Sequence, residues 1–322
     1  VFTTFFNKKD DPNSLPDDEV RSVYVDKFKR VWVGTKTKGM YLFFLKQNRF
    51  EKITIKGFDY VKEIFEDKKG NIWVGTLTGL VKIVNDKITN VYSYKEGVMN
   101  PVVSIIEDKK GNIWVGTQKG LNQYIAETKT FKRYLNIPNN NKSLSNNTIR
   151  CLYQDDKENI WVGTENGLNK LNPDGSFERF FCKDAKWNKL INPLIKAIYQ
   201  DKNRNIWVGS QAGLAKINFD NKQGVIETFY HQNDDESSLA ANDITSINED
   251  FKGNIWIGTH FNGLDFLAKN QRKFLHYNTK NSGIVSNIIR KLLVDNQGKI
   301  WIATINGLSI FDTNSAKFSN LN

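Results

Sequence analysis

The 322-residue chain has little cysteine, little histidine and no long apolar run. Two thiols, Cys151 and Cys182, cannot build a disulfide framework or a zinc site by themselves. The repeat described below puts Cys151 on an inner strand and Cys182 near the end of an outer one. Both are expected to be free thiols packed as small apolar groups. The three histidines, His231, His260 and His276, show no metal-ligand spacing, so no metal and no cofactor is expected. No apolar stretch approaches the ~20 residues needed to cross a bilayer, which excludes direct membrane insertion by a helix of this chain. There is no helical period and no glycine-rich phosphate loop. The chain starts at Val1 without an initiator Met, a basic n-region or an h-region, and so reads as a mature or trimmed piece of a longer protein.

What remains is a soluble globular composition, 39% hydrophobic and 25% charged, with a formal net charge of +11. A basic field attracts nucleic acid, anionic lipid or acidic glycan. Lysine is spread along the whole chain, however, and no recognised nucleic-acid-binding module is present, so no nucleic acid partner is expected.

The dominant feature is an internal repeat. Seven of the eight tryptophans share one motif: Trp32, Trp73, Trp114, Trp161, Trp207, Trp256 and Trp301, at spacings of 41, 41, 47, 46, 49 and 45. Six residues before each stands Asp26, Asp67, Asp108, Asp155, Asp201, Asp250 or Asp295. Three residues after each stands a hydroxyl: Thr35, Thr76, Thr117, Thr164, Ser210, Thr259 or Thr304. Two after each comes glycine, except at Ala303, and a Gly–Leu pair (Gly39–Met40 in the first copy) follows. Each copy parses into four strands that are apolar on both faces, which suits sheets sandwiched between neighbours. Four short strands repeated seven times without helices define an all-β protein: a seven-bladed β-propeller of four-stranded antiparallel blades. The seven copies should fold as one domain over 1–322, because a lone blade cannot bury both faces. The repeated Trp is read as inter-blade packing and the repeated Asp as a turn tie, neither of them catalytic.

The two ends offer one strand too many. Residues 1–6 resemble an outer fourth strand that precedes the first blade, and 317–321 also fit one. The expected resolution is that the N-terminal strand closes the ring beside the last blade while the C-terminal one leads onward.

Length variation is concentrated in the fourth-to-first loops (7–19, 135–148, 182–194, 231–243) and the second-to-third loops (36–38, 260–262), which share one face of an up-and-down propeller. Variable loops on a repeated scaffold are where function is usually placed. Eleven residues before each Trp, at the start of the innermost strand, stand Arg21, Lys62, Val103, Arg150, Lys196, Thr245 and Arg290. Five of the seven are basic. Crowning the channel mouth, they would form a cationic ring able to pair with carboxylate or sulfate; as solvated strand ends they would only keep the mouth wet. Trp187, in the loop 183–189 with Lys186 and Lys189, would stack on a sugar ring or pack down onto its blade. His260 belongs to the same loop face. These nine side chains, Arg21, Lys62, Arg150, Lys196, Arg290, Trp187, Lys186, Lys189 and His260, are the candidate ligand-binding residues, and no catalytic cluster is found.

The pattern Asp-x-x-Gly-Asn-Ile-Trp-Val-Gly-Thr-x-x-Gly-Leu, with the Ser-Leu-x-x-Asn-x-Ile lead-in at 143–149, resembles the two-component regulator propeller repeat over essentially the whole chain. That resemblance implies the N-terminal propeller of the periplasmic sensor region of a hybrid two-component system. Its partners would be a second propeller and a β-sandwich domain of the same parent chain, a homodimer mate, and an oligosaccharide ligand, including acidic ones. Signalling would pass by phosphorelay through a histidine kinase that this chain does not contain. The blade pattern more distantly resembles a seven-bladed lyase that opens cyclic peptide antibiotics. Three readings stay open: a sensor propeller, a propeller lyase or hydrolase, and a scaffold that binds only other domains. The basic ring favours a ligand over a bare scaffold, and the missing catalytic clusters favour a sensor over an enzyme.

Overall fold

The computed structural model describes residues 2–55, 57–93, 101–180, 194–218 and 225–313. They form seven four-stranded antiparallel sheets, and no helix occurs among the described residues. Blade 1 runs Val20–Val25, Val31–Thr35, Met40–Phe44, Arg49–Ile53 from the channel outward, and blades 2 to 6 repeat that order. Among the described residues no helix is long and apolar enough to cross a membrane.

The repeated residues are the joints between blades. Each Trp packs into the core of the following blade: Trp32 among Val61, Ile64 and Ile72, and Trp161 among Ile195, Ile198 and Ile206. Trp301 closes the circle by packing with Val20, Val23 and Phe43 of blade 1. Every one of the seven indole Nε1–H groups donates to the Asp six residues earlier, at 2.8–3.0 Å. The other carboxylate oxygen accepts the backbone N–H four residues after the Asp, again in all seven copies at 2.8–3.0 Å. One buried carboxylate therefore fixes the tight turn and the orientation of the ring. The hydroxyl three residues after each Trp donates to the carbonyl of the glycine that starts the third strand, at 2.8–3.1 Å, closing the second hairpin.

The glycine after each Trp-Val or Trp-Ile pair is there for space. A Cβ on Gly34, Gly75, Gly116, Gly163, Gly209 or Gly258 would stand 2.5–2.9 Å from the first inner-strand residue of the next blade. Only at the last-to-first seam does a methyl fit, at Ala303. Gly163→Ala is accordingly expected to force Cys151 and Ile195 apart and to cost about 1–3 kcal/mol, the usual range for overpacking. Denaturant titration checks this, and a variant as stable as the parent would refute the close-approach argument.

Ring closure is made by the N-terminal segment. Phe2–Phe5 pairs antiparallel with Gly307–Asp312 and becomes the outer strand of blade 7. Phe2 lies against Phe311 (ring centroids 4.9 Å apart) and reaches Tyr277 of blade 6 (5.9 Å). Phe5 meets Phe43 of blade 1 at 4.8 Å. This short strand thus touches both neighbours of the blade it completes. The proposed strand at 317–321 lies outside the described residues.

Candidate ligand site at the channel mouth

One irregularity recurs in every blade. The ladder between the first and second strands shifts register after its first pair, between Val20/Ser22, Val61/Glu63, Val102/Ser104, Ile149/Cys151, Ile195/Ala197, Ile244/Ser246 and Ile289/Lys291. The residue skipped is in each case the ring position: Arg21, Lys62, Val103, Arg150, Lys196, Thr245 or Arg290. A β-bulge leaves its extra residue unpaired and re-aims the side chain. Here it turns seven equivalent positions into the channel, where all seven line one cavity of about 350 Å³.

Five of the nine sequence-derived candidates, Arg21, Lys62, Arg150, Lys196 and Arg290, are thereby brought together. His260 stands beside them: its Nε2 lies 3.2 Å from Arg290 Nη1 and its Nδ1 3.1 Å from Asp243 Oδ2. Trp187, Lys186 and Lys189 lie outside the described residues, as does Cys182. The remaining histidines are tied elsewhere, His231 Nδ1 to the Leu239 carbonyl at 2.7 Å and His276 Nδ1 to Asp265 at 2.7 Å. Among the described residues no group of three or more His, Cys, Asp and Glu side chains could hold a metal ion.

The ring is not a bare crown of cations. Glu19 pairs with Arg21, with Lys36 at 2.7 Å and with Arg290 at 3.4 Å. Arg150 pairs with Glu165, and Lys196 with Asp243 at 2.5 Å. Lys62 is the exception: among the described residues no carboxylate pairs with it. Its neighbour is the Tyr60 ring, 5.6 Å from Nζ to centroid, and the Arg21 guanidinium approaches the same ring at 5.3 Å. Burial first, then Arg150 and Arg21, push the Lys62 ammonium below the usual lysine range. Burial and then Arg21 do the same to Arg290. The Nε–H groups of Arg21, Arg150 and Arg290 are buried, and no protein group among the described residues accepts from them.

One step deeper, the positions after the bulge are Ser22, Glu63, Ser104, Cys151, Ala197, Ser246 and Lys291. Two are charged, and they meet across the channel: Lys291 Nζ donates to both Glu63 oxygens at 3.1 Å, joining blades 7 and 2. Burial raises the Glu63 carboxyl and Lys291 opposes it. Ser104 and Ser246 instead accept the Leu152 and Leu292 N–H groups of the next blade, both at 3.1 Å. Cys151 is a free thiol that burial pushes up to about 12. In a Cys182→Ser background it is expected to resist thiol reagents at pH 8 until the protein is unfolded. Stoichiometric labelling of the folded protein within minutes would contradict this.

The carboxylates and Tyr60 were not singled out by sequence, yet they follow the same register. Two residues before each ring position stand Glu19, Tyr60, Pro101, Thr148, Leu194, Asp243 and Ile288, and four after each Trp stand Lys36, Leu77, Gln118, Glu165, Gln211, His260 and Ile305. The backbone joins these two sets blade by blade, as Lys36 N–H to Glu19 O (3.0 Å), Glu165 N–H to Thr148 O (3.1 Å) and His260 N–H to Asp243 O (2.9 Å). The rim is therefore three positions deep in every blade.

With that geometry in place, the chain can be set beside known proteins. The signature of the two component regulator propeller matches residues 14–37, 57–78, 96–119, 143–166, 189–212, 238–261 and 283–306, just over half of the sequence. The chain belongs to this family. None of the curated proteins compared with it matches. Among solved structures it is similar to the extracellular domain of the hybrid two component system BT3049 from B. thetaiotaomicron, with 25% identity and a TM-score of 0.83 over 97% of this chain and 41% of that one. The extracellular domain of BT4673 from the same organism gives 20% identity and a TM-score of 0.76, with 96% and 39% covered. The chain thus spans about two fifths of the length of these relatives. Virginiamycin B lyase from Staphylococcus aureus, at 14% identity and a TM-score of 0.70 over 96% and 98% of the two chains, shares the fold.

Proposed function

We propose that this chain is a non-catalytic, extracytoplasmic sensor propeller of a hybrid two-component system, and that it reads an oligosaccharide at the channel mouth. The ligand state would be passed to a histidine kinase elsewhere in a longer parent, through a second propeller, a β-sandwich domain and a homodimer mate. Family membership and the likeness to two extracellular sensor domains support the setting. The observation that carries the site is the seven-fold bulge, which delivers five cations to one opening on the variable-loop face, with His260 beside Arg290. Trp187, Lys186 and Lys189 are retained as contributors from the loop 183–189.

A lyase reading needs a free base at this mouth. With Nδ1–H held by Asp243, the Nε2 lone pair of His260 faces the Arg290 guanidinium, which occupies it. That arrangement favours binding over proton abstraction.

The test is calorimetric titration at low salt with a panel of neutral, uronic and sulfated oligosaccharides. Salt-sensitive binding of an acidic member supports the reading. The double variant Arg150→Ala/Arg290→Ala should then weaken it at least about tenfold, the loss of ~1.4 kcal/mol or more expected for charge-assisted contacts, with little change in melting temperature. Unaltered binding by that variant removes the ring from the site.

A further inference from the structure

The mouth is electrostatically lopsided. On the blade 5–6 side, Lys196 and His260 both face Asp243. On the other side, an adjoining hollow of about 220 Å³, which shares five ring residues with the main cavity, is lined by Arg21, Tyr60, Lys62, Val103, Arg150 and Arg290. Four cations converge there, and among the described residues two carboxylates, Glu19 and Glu165, pair with members of the set. Two positive charges are left over in a partly buried space, where repulsion is poorly screened. Glu63 does not relieve it, because both its oxygens are taken by Lys291.

We propose that this hollow is a subsite for one tetrahedral oxyanion carried on a sugar, namely a sulfate ester of the ligand. A carboxylate offers two oxygens in one plane and is satisfied by one guanidinium. A sulfate ester offers three oxygens directed apart that share one negative charge, and these match cations arriving from blades 1, 2, 4 and 7. The hollow has room for such a group and a few waters, each water taking ~30 Å³. Lys62 is the anchor because no carboxylate among the described residues competes for it, and Tyr60 is a positioning residue that holds Lys62 and Arg21 against its ring. The partnerless Nε–H groups belong to the same three arginines. The crowding of the four cations is what the ligand relieves.

The inference rests on the mouth being the ligand site, and it is tested with simple probes: sodium sulfate, sodium acetate and D-galactose 6-sulfate, titrated calorimetrically at constant low ionic strength. Sulfate should bind saturably, with acetate at least about tenfold weaker, as expected when the extra charge-assisted contacts are lost. Lys62→Met should weaken sulfate at least about tenfold, and Lys62→Arg should restore it to within a few-fold. Lys119→Met, the same charge change at an exposed loop on the same face, should leave it unaltered. Galactose 6-sulfate, a monoanion like acetate, should bind at least about tenfold more tightly than acetate. Absence of saturable sulfate binding, equal affinity for acetate, or equal effects of Lys62→Met and Lys119→Met would each overturn the subsite. Binding of the sugar sulfate no tighter than that of acetate would overturn its sugar-borne form. Sulfate binding alongside silence across the oligosaccharide panel would instead overturn the sensor reading and leave the oxyanion site standing. A melting curve for each Lys62 variant, matched to the parent, secures the comparison.

Discussion

Trp161→Ala is expected to lower the unfolding free energy by about 3–5 kcal/mol, the range for removing a buried aromatic. Trp161 is 2% exposed and packs among Ile195, Ile198, Ile206 and Phe180. Its loss opens a cavity at the blade 4–blade 5 seam, and Asp155 loses one of its donors, the indole N–H at 2.8 Å. The carboxylate keeps Asn159, whose side chain donates at 2.7 Å, so the turn should survive while the seam fails. Because nearest-neighbour seams carry the stability of a repeat protein, a cut at one seam also threatens all-or-none unfolding. Urea unfolding followed by tryptophan fluorescence and circular dichroism checks both points. An unchanged midpoint would contradict the role assigned to the Trp.

Removal of residues 1–6 is expected to be more damaging still. It strips Phe2–Phe5 from blade 7 and leaves Gly307–Asp312 as an unpaired edge, a template for pairing with other chains. Phe311, now 4% exposed, would lose the ring that covers it, and Phe43 and Phe50 would lose Phe5. Two half-buried aromatics at up to ~2 kcal/mol each, together with the hydrogen bonds of four ladder pairs at ~1 kcal/mol each, exceed the loss at a single Trp. Size-exclusion chromatography should show the shortened chain as aggregates or oligomers, and its melting temperature should fall below that of Trp161→Ala. A monomer of parental stability would mean that closure is made by another segment.

The architecture was legible because the repeat writes every joint seven times. The Asp–Trp distance of six residues, the hydroxyl three further on and the small residue between them each correspond to one observed contact. The ring positions were legible for the same reason, since a fixed offset from the Trp placed them in register. The bulge was not legible. An inner strand such as Val-Arg-Ser-Val or Ile-Arg-Cys-Leu carries no glycine or proline to mark the skipped residue, and the reason it points into the channel lies in the ladder beside it. The partners of the ring were half legible. Glu19 and Asp243 stand two residues before Arg21 and Thr245, so their height on the rim follows from the sequence. That Asp243 reaches back to Lys196 in the previous blade, and that Glu19 is shared with Arg290 across the closing seam, depends on ring curvature and side-chain rotamers.

A residue that takes no part in the ladder can be exchanged without moving it. Lys62 and Val103 occupy the same place in successive blades, with opposite chemistry and the same strand pairing on either side. Each blade therefore carries one letter that can be rewritten while the text around it stays fixed, and the channel mouth reads as a seven-letter word. New binding preferences can arise on such a frame one substitution at a time, without an intervening loss of fold.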